Sequence, residues 1–82
     1  MSEAPQGGPQ ALYFVSRGET RWIVAHSGAN YLYQSRSIAI GAAIEAANSS
    51  GRRGHDAQVL TLGEDGAWQV IWRYGVDPYP PA

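Results

Sequence analysis

One segment of the chain has the periodicity of an α-helix, and strand-like segments enclose it on both sides. Residues 34–50 are rich in alanine, and their apolar side chains recur at intervals of three and four residues. Ser35 or Ser37 can accept a hydrogen bond from a free N–H of the first turn, and Gly51 is available for a left-handed conformation at the end. The predicted apolar stripe consists of Ile40, Ala43, Ile44 and Ala47. A single short helix buries one stripe, so strands have to supply the rest of the core.

The segments on either side of this helix alternate with the period of two that is typical of strands. Residues 11–17 and 21–26 are separated by a short glycine-containing turn, which predicts a β-hairpin. Residues 57–62 and 67–74 are separated by an Asp-Gly turn, which predicts a second hairpin. Residues 31–33 form a short extended piece that leads into the helix or pairs at a sheet edge. The predicted order is β-β-α-β-β, an α+β fold in which an antiparallel sheet carries the helix on one face.

The two ends of the chain differ in composition from its centre. Residues 1–10 contain two Pro and two Gly and no large apolar side chain after Met1, so we expect a flexible leader. Residues 75–82 contain three Pro, which favour an extended C-terminal tail. A single α+β domain is expected over residues 11–74, because 82 residues are enough for one core at most. The sequence has neither a secretory signal nor a membrane-spanning apolar run, and we expect a cytoplasmic protein of prokaryotic type.

The composition argues against several functional classes. Cysteine is absent, which removes disulfides, thiolate metal ligands and thiol catalysis. Six Arg against seven acidic residues give a net charge of −1, which disfavours electrostatic capture of nucleic acid or of an anionic membrane. His26 and His55 lack partners at a metal-binding spacing, and no glycine-rich phosphate loop occurs. We therefore expect a protein that is not an enzyme, with no catalytic residues, metal or cofactor.

The aromatic residues point to a binding surface. The chain has three Trp and five Tyr but one Phe, and the polar groups of Trp and Tyr suit half-exposed positions. Strict alternation places Trp68, Val70, Trp72 and Tyr74 on one face of the last strand. Both faces of the sheet then carry apolar side chains, and one helix covers only one of them. The Pro-rich tail, a second copy of the chain or a foreign partner has to cover the other face.

These observations predict a small interaction module that self-associates through an aromatic sheet face or edge, as a homodimer, or binds another protein. The alternative is a single-stranded nucleic-acid binder, in which Trp rings stack on bases and Arg side chains contact phosphates. For the Arg52-Arg53 pair, the preference of cations for the end of a helix is the favoured explanation over an anion or nucleic-acid contact. The predicted partner-binding residues are Trp22, Trp68, Trp72, Tyr74, Tyr79, Arg52 and Arg53.

The end of the chain resembles the closing signature of a known family. Residues 74–81 read Tyr-Gly-Val-Asp-Pro-Tyr-Pro-Pro, which is similar to the Tyr-Gly-x-Asp-Pro-x-Pro pattern of the prokaryotic domain-of-unknown-function family 2188. Trp22, the alanine-rich helix and the Asp-Gly turn extend the resemblance over residues 12–81. It implies a compact β-β-α-β-β module without an assigned reaction and carries over no site residue. The chain departs from the family in its weakly charged helix and in its apolar last strand.

Overall fold

The computed structural model describes residues 9–81, which form one α-helix and a five-stranded sheet. The elements are β1 (Gln10–Arg17), β2 (Trp22–His26), β3 (Ala29–Tyr33), α1 (Arg36–Arg52), β4 (Asp56–Leu62) and β5 (Trp68–Arg73). The strands are ordered β3-β2-β1-β4-β5 across the sheet, and α1 packs on one side of it. The predicted α+β class with one helix on one face is confirmed. Most of the predicted leader, residues 1–8, lies outside the described residues.

The sheet differs from the prediction in two details, which have one cause. The short extended piece before the helix is a full edge strand, β3, which pairs antiparallel with β2. The two central strands, β1 and β4, are parallel, with Gln10 in register with Asp56 and Val15 with Thr61. A third strand before the helix reverses the direction in which α1 crosses the sheet. The chain therefore enters β4 in the direction of β1, and the sheet is mixed rather than antiparallel.

No helix within the described residues is both long and apolar enough to cross a membrane.

The helix α1 begins after Ser35, whose hydroxyl oxygen accepts a hydrogen bond from the Ile38 N–H at 3.2 Å. Its end differs from the prediction, because Gly54 rather than Gly51 has the left-handed conformation, with φ of +97°. Gly51 is instead buried in the last turn, where the ring of Tyr74 occupies the space that a Cβ atom would need. The absence of a side chain there lets the end of β5 approach the helix.

The hydrophobic core lies between α1 and the sheet. Ala39, Ala43, Ile44 and Ala47 are the buried apolar residues of the helix, whereas Ile40, predicted for the stripe, is only half-buried. The strands contribute the buried apolar side chains of Ala11, Tyr13, Val15, Val24, Ala57, Val59 and Trp72. Small alanine side chains let the helix approach the sheet closely, so most of the core volume comes from the strands.

A β-bulge divides the last strand between the two sides of the sheet. Val59 is in register with Trp72, but the next residue, Leu60, is in register with Val70, so Ile71 is an additional residue in β5. The bulge reverses the alternation of side chains at that point. Trp72 is buried on the helix side, whereas Val70 and Trp68 lie on the opposite side. The prediction that Trp68, Val70, Trp72 and Tyr74 share one face is therefore wrong.

Candidate interaction surface

The side of the sheet that faces away from α1 carries apolar side chains on all five strands. These residues alternate along the strands with those buried against the helix, and their strand partners place them together. They are Leu12, Phe14, Ile23, Ala25, Leu32, Leu60, Leu62, Trp68 and Val70. We call this set the open face.

The apolar residues of the open face form continuous rows across the strands. Phe14 is in register with Ala25 on one side and with Leu60 on the other, and Leu60 is in register with Val70. The Trp68 ring meets Phe14 edge to face, with ring centroids 5.0 Å apart and an interplanar angle of 72°. Edge-to-face packing of this kind fixes the orientation of both rings. The centre of the open face is therefore an ordered aromatic and aliphatic surface.

The outer parts of the open face remain accessible to solvent. Leu32 is 58% exposed, Leu62 48%, Trp68 44% and Val70 43%. Leu32 stands on the edge strand β3, and the other three stand on β4 and β5, so exposure occurs at both ends of the rows. Within residues 9–81, the one helix packs on the opposite side of the sheet and leaves these side chains uncovered.

The C-terminal tail packs against Trp72 instead of covering the open face. The Trp72 indole N–H donates a hydrogen bond to the Pro78 carbonyl oxygen at 2.9 Å, and the Tyr79 ring lies edge to face against Trp72 at 6.3 Å. A carboxylate oxygen of Asp77 accepts the backbone N–H of Arg73 at 2.8 Å. These contacts bury Trp72 to 2% exposure. The Pro-rich tail was one of the three covers predicted for the exposed sheet face. It covers Trp72 instead and leaves Trp68 exposed.

The three Trp residues predicted to bind a partner lie in different environments. Trp68 stands on the open face, where almost half of its surface is exposed. Trp72 belongs to the core, and Trp22 is half-buried against that core on the helix side. The open face therefore contains one of the three Trp residues.

The other predicted partner-binding residues also lie away from the open face. Tyr74 is half-buried over Gly51 at the end of α1, and Tyr79 packs on Trp72. Arg52 and Arg53 are exposed at the end of α1, where Arg53 is the C-cap residue. The doublet thus stands on the helix side of the sheet and does not border the Trp68 ring.

Several residues of the open face were not singled out from the sequence. Leu32 was missed because residues 31–33 were not assigned to a strand with two faces. Leu60 and Leu62 were missed although their alternation with Val59 and Thr61 was a usable signal. Had the faces of that strand been separated in the same way as those of β1, both leucines would have been predicted.

The described residues 9–81 contain no group of three or more His, Asp or Glu side chains placed to hold a metal ion. His26 has a structural setting: its Nδ1–H donates to the Leu12 carbonyl oxygen at 2.9 Å, and its ring stacks on Tyr13 at 4.0 Å.

Comparison with protein-family models, with curated proteins and with solved structures finds no match to this chain. The resemblance to family 2188 therefore stays a prediction that rests on the tail motif. The function proposed below therefore rests on the geometry of the open face.

Proposed function

We propose that this protein is a small non-enzymatic interaction module that self-associates through the open face. The single observation that carries the proposal is the continuous apolar surface across five strands, with four large side chains exposed by more than two fifths. A contiguous apolar patch of a few hundred Å² is typical of the largest one on a monomeric protein, and such patches are often binding sites. Covering it removes apolar area from water, which favours association.

The dimensions of the open face fit a modest dimer. Five strands span about 19 Å between the outermost two, and the apolar rows extend roughly 10 to 14 Å along the strands. Together with its rim, such a face offers on the order of 500 Å² per copy. Two copies would bury roughly 1,000 Å², which lies at the lower end of specific protein–protein interfaces. We therefore expect micromolar rather than nanomolar self-association.

Charge favours a second copy as the occupant. The uncharged polar residues at the open face include Ser16, Asn30 and Gln58, and the charged residues at its border include two acidic and two basic ones, Asp56, Glu19, Arg21 and Arg73. Two such faces can meet without repulsion between like-charged clusters, and paired sheets pack about 10 Å apart when their inner faces are apolar. The net charge of −1 adds little repulsion between copies.

The alternative, a single-stranded nucleic acid on the same face, has weaker support. Stacking on Trp68 would need cationic side chains beside it to contact the phosphates. Arg52 and Arg53 lie at the end of α1 on the other side of the sheet, and the cations at the border of the open face, Arg21 and Arg73, are offset there by the acidic Glu19 and Asp56. The chemistry of the face therefore suits an apolar partner better than a polyanion.

Sedimentation velocity over a range of protein concentrations tests the proposal. We expect the wild-type protein to shift from monomer to dimer with concentration, and Leu62→Glu to remain monomeric with an unchanged melting temperature. Val76→Glu is the matched control, because Val76 is 72% exposed in the tail and does not belong to the open face. A wild-type protein that stays monomeric at high micromolar concentration, or dimers unaffected by Leu62→Glu, would overturn it. Quenching of Trp68 fluorescence by short single strands at low salt would instead support the alternative.

Two predictions from the sequence are retained as part of this proposal. The cysteine-free composition suits a reducing compartment, and we propose a cytoplasmic location. The tail motif supports kinship with the prokaryotic family 2188, and two of its residues make contacts that hold the tail, Asp77 with the Arg73 N–H and the Pro78 carbonyl oxygen with the Trp72 indole.

A further inference from the structure

A concave surface lies on the helix side of the sheet, on the opposite side from the open face. It is a cleft of about 340 Å³ between α1 and strands β2 and β3, a volume within the range of small-molecule sites. Its lining residues are Tyr13, Val24, His26, Tyr31, Tyr33, Ala42, Ala46 and Arg53. Aromatic rings supply the walls, and one cation stands at the end of the helix.

The cleft exists because small residues of α1 face large residues of β3. Ala43 and Ala47 are buried against the centre of the sheet, whereas Ala42 and Ala46 lie to one side and are half-buried. Beyond those two alanines the strands continue to the sheet edge, where Tyr31 and Tyr33 extend on the same side. The helix is too narrow at this point to fill the space above β2 and β3.

His26 is among the residues that line this cleft, and Tyr13 covers one face of its ring, with ring centroids 4.0 Å apart and an interplanar angle of 10°. The hydrogen bond from Nδ1–H to the Leu12 carbonyl oxygen fixes the ring orientation. Because Tyr13 stands on β1, the other face is directed toward β3, where the residue in register with His26 is Ala29. The small side chain of Ala29 leaves room for a planar group to extend the stack.

The charged residues that line the cleft determine whether it favours an anionic or a cationic ligand. Three tyrosine rings alone would suit a cation, because aromatic faces attract positive charge. Arg53 reverses this preference, since it is the charged lining residue and the described lining includes no Asp or Glu. Its guanidinium can donate two parallel hydrogen bonds to a carboxylate. The nearby carbonyl oxygens of Ser50 and Gly51 already accept backbone N–H groups and do not compete for it.

We propose that this cleft binds a small planar aromatic carboxylate, with its ring against the His26 face opposite Tyr13 and its carboxylate on Arg53. The tyrosine hydroxyls of β3 provide further donors at the sheet edge. The site uses the helix side of the sheet, so it is independent of self-association through the open face.

A titration of the full chain, followed by amide chemical shifts, tests the proposal with matched probes. Indole-3-carboxylate is the probe for the complete site, indole-3-carboxamide keeps the ring without the charge, and cyclohexanecarboxylate keeps the charge without the planar ring. We expect the aromatic carboxylate to bind in the high micromolar to millimolar range and to shift the amides of Ala42, Ala46 and His26. Equal affinities for all three probes, shifts confined to the open face, or no binding at millimolar concentrations would overturn the proposal.

Two substitutions separate the contributions of charge and ring. Arg53→Gln should weaken the binding of the aromatic carboxylate by about fivefold, the size expected for a partly exposed ion pair. It should leave the affinity for the carboxamide unchanged. Arg52→Gln is the matched control, because Arg52 is adjacent but does not line the cleft. Ala29→Leu should abolish binding of both indoles by filling the space beside His26, with the fold verified by the remaining amide signals. Equal losses for Arg52→Gln and Arg53→Gln, or unchanged binding in Ala29→Leu, would contradict the assignment.

Discussion

Leu62 and Trp68 lie directly opposite each other on β4 and β5, and both side chains stand on the open face with nearly half of their surface exposed. Cross-strand pairs of this kind stabilise a sheet by only a few tenths to about 1 kcal/mol. The position of this pair beside Phe14 makes it the most prominent part of the open face.

The two Trp residues of β5 should respond to truncation in opposite ways. Trp68→Ala removes exposed surface, so we expect a weaker dimer and a change in unfolding free energy below about 1 kcal/mol. Trp72→Ala removes a buried ring together with its hydrogen bond to Pro78, and should destabilise the fold by about 3–5 kcal/mol. Urea denaturation and sedimentation, run on both variants, measure the two effects. Comparable losses of stability would contradict the separation that the bulge creates.

Two glycines of α1, Gly41 and Gly51, are a matched pair for testing whether Tyr74 packs closely against the helix. Gly41 is exposed and an added Cβ would contact nothing within 4 Å, so Gly41→Ala should stabilise the protein by up to about 1 kcal/mol. Gly51→Ala places a methyl group inside the Tyr74 ring position and should cost about 1–3 kcal/mol despite the same gain in helix propensity. Chemical denaturation gives both values. Stabilisation by Gly51→Ala would mean that Tyr74 does not pack on the helix.

The buried hydroxyl pair between β1 and α1 should contribute measurably to stability. The Tyr13 hydroxyl and the Ser50 hydroxyl lie 2.5 Å apart, and the next acceptor for Tyr13, the Ala46 carbonyl oxygen, is 3.4 Å away. Ser50→Ala leaves the Tyr13 hydroxyl with that weaker contact and should cost about 1–2 kcal/mol. Ser49→Ala, at the neighbouring exposed position, should change stability by less than about 0.5 kcal/mol. Equal effects of the two substitutions would show that the hydroxyl pair contributes nothing specific.

Local patterns in the sequence predicted the elements well because each element is determined by its own residues. The spacing of apolar residues located α1, and the Ser35 cap is among the two serines that the sequence offered. The direction of β4 could not be predicted in this way, because it depends on whether the chain crosses the sheet two or three times before the helix. Residues 29–33 settle that question, and only three of them had a strand-like pattern.

The open face was only partly predictable for a related reason. The excess of apolar residues over what one helix can cover was visible in the sequence, and Trp68 was among the predicted partner-binding residues. The side on which Trp72 lies depends on the pairing of β5 with β4, where Ile71 is the additional residue. Alternation within one strand contains no information about a bulge that the neighbouring strand imposes.

The bulge at Ile71 gives two halves of a six-residue strand different constraints on sequence change. Substitutions of Trp68 and Val70, before Ile71, alter the exposed open face, and substitutions of Trp72, after it, alter the packing beneath α1. Regular pairing of all six residues, without the bulge, would place Trp68 and Trp72 on one side of the sheet, where they would compete for the same space. A single additional residue thus allows the exposed surface and the core packing to change independently along the same strand.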